Sequence, residues 1–470
     1  MTRPRAADPR GWPAALQLRL GGPMGRQASR GKGLWVNPLP WAVLAALITW
    51  LLTLWRHHPC QQTVAGQPVD AFMRLCYSDI PILYQNTALG TGGAPYRDAA
   101  LDQPPLTGLF VTIARALADL VGADPTFGVP VQRLVDGSHL FFLVAAVLLF
   151  CCLLATVLSV LLMGRGSARR VATGPSGRVR SWDALLVAAA PAVVTGGLVS
   201  WDLFAVALAT AGLLAWALRR QLLAGVLLGL AAAAGTWPLL LLLALLLVCL
   251  RAGRVAVWAR TAGVALGVWL AVLGIAVLAW TPAALGSAGA WHRRGPELGS
   301  VWFVLEAAGG RIPLLSLLVA ALMLSWCAWV ASLVVRAPRR PRVGQVAFLL
   351  VAGWLLVNKG FSPQQVLWLL PLVPLARPVV SDWAVWAGAE TLYCWAVWGH
   401  LGGLTTSGAG GDDVVYWGAI GLRVLVLAWL VAQVAHDVTK PWDDPVREPL
   451  VDDPIGGVLD HAPDAVGRPA

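Results

Sequence analysis

Three carboxylates crowd one polar stretch between apolar runs, and their neighbours suit chemistry on a hydroxyl. The stretch contains Cys76-Tyr77-Ser78-Asp79-Ile80-Pro81, then Tyr84, a Gly-rich turn from Gly90 to Pro95, and Tyr96-Arg97-Asp98. It closes with Asp102-Gln103-Pro104-Pro105-Leu106-Thr107-Gly108. A carboxylate held above a membrane face can act as a general base towards a hydroxyl. The same composition also describes a solvated acidic loop. Trp201-Asp202 sits in a tight break between two apolar runs, where a carboxylate is costly unless it faces a cavity or a partner. His292-Arg293-Arg294 and Glu297 lie in another polar segment, and Lys359 lies beside Gln364 and Gln365. These cations suit an anionic ligand. Phosphate fits them, because Arg offers paired donors and Lys a point charge. Salt bridges to Asp79, Asp102, Asp202 or Glu297 are the alternative use. There is no nucleotide-binding loop and no metal-ligand spacing. Chemistry on a membrane-embedded phosphate ester, with no cofactor beyond a lipid-phosphate donor, is the reaction class that fits; lone carboxylates could still recruit a divalent ion.

The elements that must position these groups are apolar. Of 470 residues, 58% are hydrophobic and 13% charged, against about 25% charged in soluble domains. Runs such as Leu140 to Met163 and Val255 to Trp280 reach the length of about 20 residues that a span requires. The formal charge of +11 is spread in short clusters between apolar runs. That pattern follows the positive-inside rule and offers no groove for nucleic acid. The clusters are the N-terminal arm, Arg165 to Arg180, Arg219-Arg220, Arg251 to Arg254 and Arg336 to Arg342. Placing all of them in the cytoplasm predicts an all-α, polytopic protein of about twelve transmembrane helices, both termini cytoplasmic. The first run, Trp41 to Trp55, is followed by Arg56-His57-His58 and by no cleavage site, so it reads as an uncleaved span.

Parity excludes Leu106 to Val121 as a crossing. With Arg115 and Asp119, it reads as an amphipathic interfacial helix in the first external loop. The expected organisation is a basic arm over residues 1–37 and a transmembrane domain over 38–436. The domain's catalytic loop is 56–137, and an acidic tail over 437–470 is expected to be disordered. Two apolar runs are too long for one crossing, and each half left by its break has only about 14 residues, or about 21 Å of helix. Leu222 to Leu250 breaks near Gly235-Thr236-Trp237-Pro238, and Val343 to Ala376 breaks at Asn358 to Gln365. Irregular backbone at membrane depth survives only against protein or a water-filled cavity, so both breaks are placed against one. Ordinary tight turns between short spans are the alternative, more so for the first break than for the second with its Asn358, Lys359, Gln364 and Gln365. Cys60 and Cys76 share the external loop and are expected to pair. Cys151, Cys152, Cys249, Cys327 and Cys394 lie in apolar runs, as packing residues do.

Several blocks together resemble one family. They are Tyr77-Ser78-Asp79-Ile80, Pro95-Tyr96-Arg97-Asp98, Asp102 to Gly108, Trp201-Asp202-Leu203, Arg294 to Trp302, Asn358 to Trp368 and Asp452 to Gly457. In that order they resemble the actinobacterial branch of the C-type integral membrane glycosyltransferases, the polyprenyl-phosphate-dependent mannosyltransferases. The resemblance implies a C-type many-span fold in the plasma membrane, with an extracytoplasmic active site. It implies that a hexose, most often mannose, passes from a polyprenyl-phosphate sugar to a glycolipid or envelope glycan acceptor, with inversion. Asp79 matches the catalytic carboxylate, and Arg293, Arg294 or Lys359 would meet the donor phosphate. Tyr84, Tyr96, Asp102, Asp202, Glu297, Gln364 and Gln365 are the candidate substrate contacts. A transporter or flippase for an envelope precursor is the rival expectation, since broken helices and buried charge also serve transport.

Overall fold

The computed structural model describes residues 37–61, 63–64, 67–98, 101–123, 131–170, 180–280, 291, 294–406, 413–447, 452–460 and 462. These residues are overwhelmingly helical. Their one sheet is a two-residue antiparallel pairing, β1 (Thr63–Val64) with β2 (Gln67–Pro68). The N-terminal arm up to residue 36 lies outside the described residues, as does Arg293.

The chain opens with α1 (Pro38–His57). Asn37 caps it by accepting from the Leu39 N–H, and Pro38 occupies the first turn, where its missing donor costs nothing. The segment that follows α1 carries α2 (Asp79–Asn86) and α3 (Pro105–Leu120). Helix α3 buries Thr107, Gly108, Val111, Ala114 and Ala118, yet exposes Leu109, Ile113, Leu117 and Leu120 on its other side. One side of the helix thus packs on the protein and the other presents an apolar surface. Cys60 and Cys76 form a disulfide across this loop. It closes a segment with a sequence separation of 16, so the Cys60→Ser, Cys76→Ser variant is expected to lose about 3 kcal/mol of stability. Thermal unfolding in detergent measures this, and an unchanged transition would contradict it.

Next comes α4 (Val131–Arg170), 40 residues long. At 1.5 Å per residue it extends about 60 Å, twice the roughly 30 Å hydrocarbon thickness. It therefore begins seven residues before the expected start of that span, inside the segment read as external loop. The short helices α5 (Ala184–Ala188) and α6 (Pro191–Gly196) follow, then α7 (Asp202–Ala217), α8 (Gln221–Ala234), α9 (Leu239–Arg251) and α10 (Val255–Trp280). Gly225 and Gly229 lie one turn apart on α8. A Cβ on either would strike a backbone carbonyl of α10, that of Thr261 or Ala265. Small residues at this spacing let the two backbones close together. The chain continues as α11 (Val301–Ala307), α12 (Leu315–Arg336), α13 (Val343–Val357), a 3-10 turn at Pro363–Trp368, α14 (Leu372–Ala376), α15 (Val380–Leu401) and α16 (Val414–Thr439).

Helix α13 is apolar on every side and is buried continuously from Val343 to Gly353, as the axis of a bundle must be. The outer helices expose large apolar side chains instead, including Leu266, Leu270, Ile275 and Leu278 on α10 and Leu317, Leu322 and Leu324 on α12. Water would not tolerate such surfaces, but lipid does. Among the described residues, five helices are long and apolar enough to cross a membrane: α1, α4, α10, α12 and α16. Apolar helices of 10–17 residues accompany them, among them α7, α8, α9 and α13.

The basic helix ends gather at one end of the bundle, and the tail is folded against them. Arg342 bonds Asp444 (2.8 Å), Arg340 bonds Asp452 (2.6 Å), and Asp453 accepts from the Val343 N–H (2.8 Å). Arg377 bridges Asp382 and Asp437. Asp444, Asp452 and Asp453 are all buried. This corrects the expectation of a disordered tail from Asp437. Helix α16 runs on to Thr439, and the described part of the tail to residue 462 supplies counter-charges to the basic clusters. Low apolar content implies disorder only where a segment must stabilise itself; here buried Val446, Ile455 and Leu459 and the ion pairs hold it against the bundle.

Candidate functional site

Asp79 opens α2. Ser78 caps that helix by accepting from the Ile80 N–H, and its own hydroxyl donates to the Leu198 carbonyl at 2.6 Å. The Asp79 N–H donates to the Val199 carbonyl at 2.8 Å. Two bonds thus fasten the external loop to the turn between α6 and α7. His57 Nδ1 lies 3.2 Å from the Cys76 carbonyl oxygen, and the disulfide holds the same strand from below. Tyr77 stacks on Phe72, with centroids 5.0 Å apart, and lies 5.2 Å from the Trp398 ring. Its hydroxyl donates to Asp79 Oδ1 at 2.8 Å. Burial raises the Asp79 pKa above the ordinary carboxylate value, and the Tyr77 hydrogen bond opposes that rise. A half-buried carboxylate of raised basicity, held by one phenol, has the character of a general base.

Asp202 opens α7 and lies close enough to Asp79 for their charges to interact. It accepts from Trp368 Nε1 at 2.6 Å. Trp368 stacks on Trp237 at 5.6 Å and forms part of the wall of a cavity of about 340 Å³. Both breaks in the apolar runs line this cavity, as expected of irregular backbone at depth. Thr236 comes from the first break, with Ala232 and Ala233 from the end of α8 before it, and Asn358, Lys359, Gly360 and Gln365 come from the second. Asp102, Arg294 and Glu297 supply the remaining charge, and Trp269, Trp291 and Trp354 supply further ring faces. Asp79 is not in this wall; Asp202 and Trp368 connect it to the cavity.

The cations are held differently from expectation. Arg294 lies 3.5 Å from Glu297 and 4.0 Å from the exposed Asp102, so it is shared between two carboxylates. Lys359 is buried, and its ammonium donates to the carbonyls of Trp291 and Arg294 and to Ser316 Oγ. Its three donors are spent on neutral acceptors, and it lies 4.2 Å from the Trp291 ring centroid. Direct phosphate ligation by Lys359 is therefore corrected: it ties the 291–297 segment to the break and leaves its net charge beside the cavity. Glu297 packs over Gly360, where any side chain would collide with its carboxylate.

Three expected contacts fall elsewhere. Tyr84 is buried against Phe141, with ring centroids 5.1 Å apart, and belongs to the core. Tyr96 is buried with its hydroxyl donating to the carbonyls of Gln103 and Pro104, so it shapes the turn that carries Asp102. Gln364 is not in the cavity wall, and its backbone lies against Gly196; Gln365 is in the wall.

Sequence reasoning missed Tyr77, Trp368 and a buried ion pair. Arg423 on α16 donates to Glu390 on α15 at 2.7 Å and to the Phe361 carbonyl in the second break. Its guanidinium also lies 3.3 Å from the Phe361 ring centroid. A lone Arg and a lone Glu within apolar runs were the available signal. Among the described residues, no group of three or more His, Cys, Asp or Glu could hold a metal ion. No family model matches this chain, and no curated protein matches it in sequence.

Proposed function

We propose that this chain is an inverting glycosyltransferase of the extracytoplasmic membrane face. It would move a hexose, mannose first among them, from a polyprenyl-phosphate donor to a lipid-anchored or envelope glycan. The observation that carries the reading is the joining of a basic carboxylate, Asp79, to a Trp-lined cavity that mixes cations and carboxylates. In the proposed reaction Asp79 takes the acceptor hydroxyl proton. The freed oxygen attacks the anomeric carbon from the face opposite the phosphate, the anomeric bond breaks, and polyprenyl phosphate leaves. Arg294 and the charge of Lys359 would stabilise the growing negative charge on that phosphate. The Trp faces would stack on the sugar. Trp368 would have to turn aside for base and donor to meet.

Twelve crossings of C-type character belong to the same proposal, with α8 and α9 as one short pair and α13 and the 363–376 segment as another. The gathering of basic helix ends supports a cytoplasmic assignment of that end and of both termini. The breaks at a common cavity also suit transport of a lipid-linked precursor, and that rival is retained as an outcome of the test below.

The pH profile of sugar transfer tests the base. Only ionised Asp79 can accept the proton, so activity is expected to fall as pH drops through its raised pKa. The Tyr77 hydrogen bond stabilises the charged form. Tyr77→Phe is therefore expected to move the acid limb to higher pH, with transfer at high pH largely retained. An unmoved acid limb in Tyr77→Phe would contradict the assignment.

A further inference from the structure

A second groove, separate from the cavity, opens between α1, the link joining α5 to α6, and α15. It encloses about 310 Å³. Leu52, Ala189, Pro191, Val194 and Trp395 make its apolar wall, and Leu52, Ala189 and Trp395 are exposed. In a bilayer such a wall faces lipid. Arg56, in the last turn of α1, also lines this groove. The contacts of its guanidinium are weak or neutral: Nη1 lies 3.9 Å from Cys394 Sγ and Nη2 3.0 Å from His57 Nε2. Its Nε is buried without a hydrogen-bond partner. Among the described residues, no carboxylate lies within ion-pair distance of it. Glu390, one turn before Cys394, is taken by Arg423.

A cation at the rim of an apolar groove is costly without a counter-ion, and the surrounding membrane supplies one. We propose that the groove binds a phospholipid of net negative headgroup, with its phosphate diester on Arg56 and one acyl chain along Leu52, Ala189 and Val194. Arg suits the phosphate because its fork presents paired donors. An acyl chain gains little by leaving other lipid, so selectivity rests on the headgroup and the groove fixes its seat. The site shares no residue with the cavity and stands or falls apart from sugar transfer.

Native mass spectrometry of the full chain, delipidated and then offered equal phosphatidylglycerol and phosphatidylcholine, tests the proposal. The wild type is expected to retain one phosphatidylglycerol in preference to phosphatidylcholine, and Arg56→Gln to weaken that retention about tenfold or more. Ala189→Trp leaves Arg56 in place and fills the groove, and it is expected to lose the lipid too. Equal retention of the two lipids by the wild type overturns the site without recourse to any variant. So does undiminished phosphatidylglycerol binding in either variant. Displacement of the lipid by inorganic phosphate would make it a free-anion site and overturn the lipid assignment.

Discussion

Asp79→Asn is expected to lower sugar transfer about 10²–10⁴-fold, the usual contribution of a positioned general base. The same variant is expected to melt at or above the wild-type temperature. Asn keeps the shape of Asp79, still accepts from Tyr77, and leaves the Ser78 and backbone bonds to Leu198 and Val199 in place. The sign of the stability change follows from the pKa. Burial raises the folded Asp79 above its ordinary value of 3.8, so the fold binds that proton more tightly than the unfolded chain. The resulting stability is present in acid and is lost as pH rises through the folded pKa. At neutral pH the charged carboxylate is the less favourable occupant, and a neutral Asn removes that cost. Lost transfer with retained or higher stability separates catalysis from structure. Transfer close to the wild-type rate, or a variant that fails to fold, would contradict the role.

Arg423→Leu carries the largest expected effect on stability. Arg423 and Glu390 are both buried and bonded at 2.7 Å, and Arg423 also holds the Phe361 carbonyl. Removing Arg423 leaves the buried Glu390 charge unpaired and the Phe361 carbonyl with only the Tyr393 hydroxyl, at 3.4 Å, at a cost of about 3–5 kcal/mol. The Glu390→Leu, Arg423→Leu double variant is expected to recover much of that loss, because no unpaired charge remains. It would still leave the break without its anchor. Phe361 is two residues from Lys359 and four from Gln365, so the cavity wall is expected to loosen. Stability should thus return in the double variant while transfer stays low. Thermal unfolding in detergent and the transfer assay read the two effects separately. An Arg423→Leu protein that unfolds as the wild type does would contradict the argument.

Local features were legible in the sequence. Gly235 to Pro238 and Asn358 to Gln365 interrupt apolar runs too long for one crossing, and the short halves point to a cavity or to tight turns between short spans. Cys60 and Cys76, confined to one external loop, admit a pairing, and the apolar stripe of α3 has a readable period. Long-range partners were not legible. Lys359 looks available until the Trp291 and Arg294 carbonyls and Ser316 are brought to it by the fold. Tyr84 and Tyr96 are of the right type, but residue type does not report which way a ring faces. The tail failed for a related reason: Asp444, Asp452 and Asp453 read as solvating charge until Arg340 and Arg342, about a hundred residues earlier, are found above them.

In the proposed function the membrane body itself forms a glycosidic bond. The most direct test reconstitutes the purified chain in liposomes with polyprenyl-phosphate mannose, labelled in the sugar, and an envelope glycolipid extract as acceptor. Label is expected to enter the glycolipid through a bond of inverted anomeric configuration, with one polyprenyl phosphate released per sugar transferred. Label that crosses the bilayer in an intact donor or precursor, with no new glycosidic bond, would contradict it and establish transport instead.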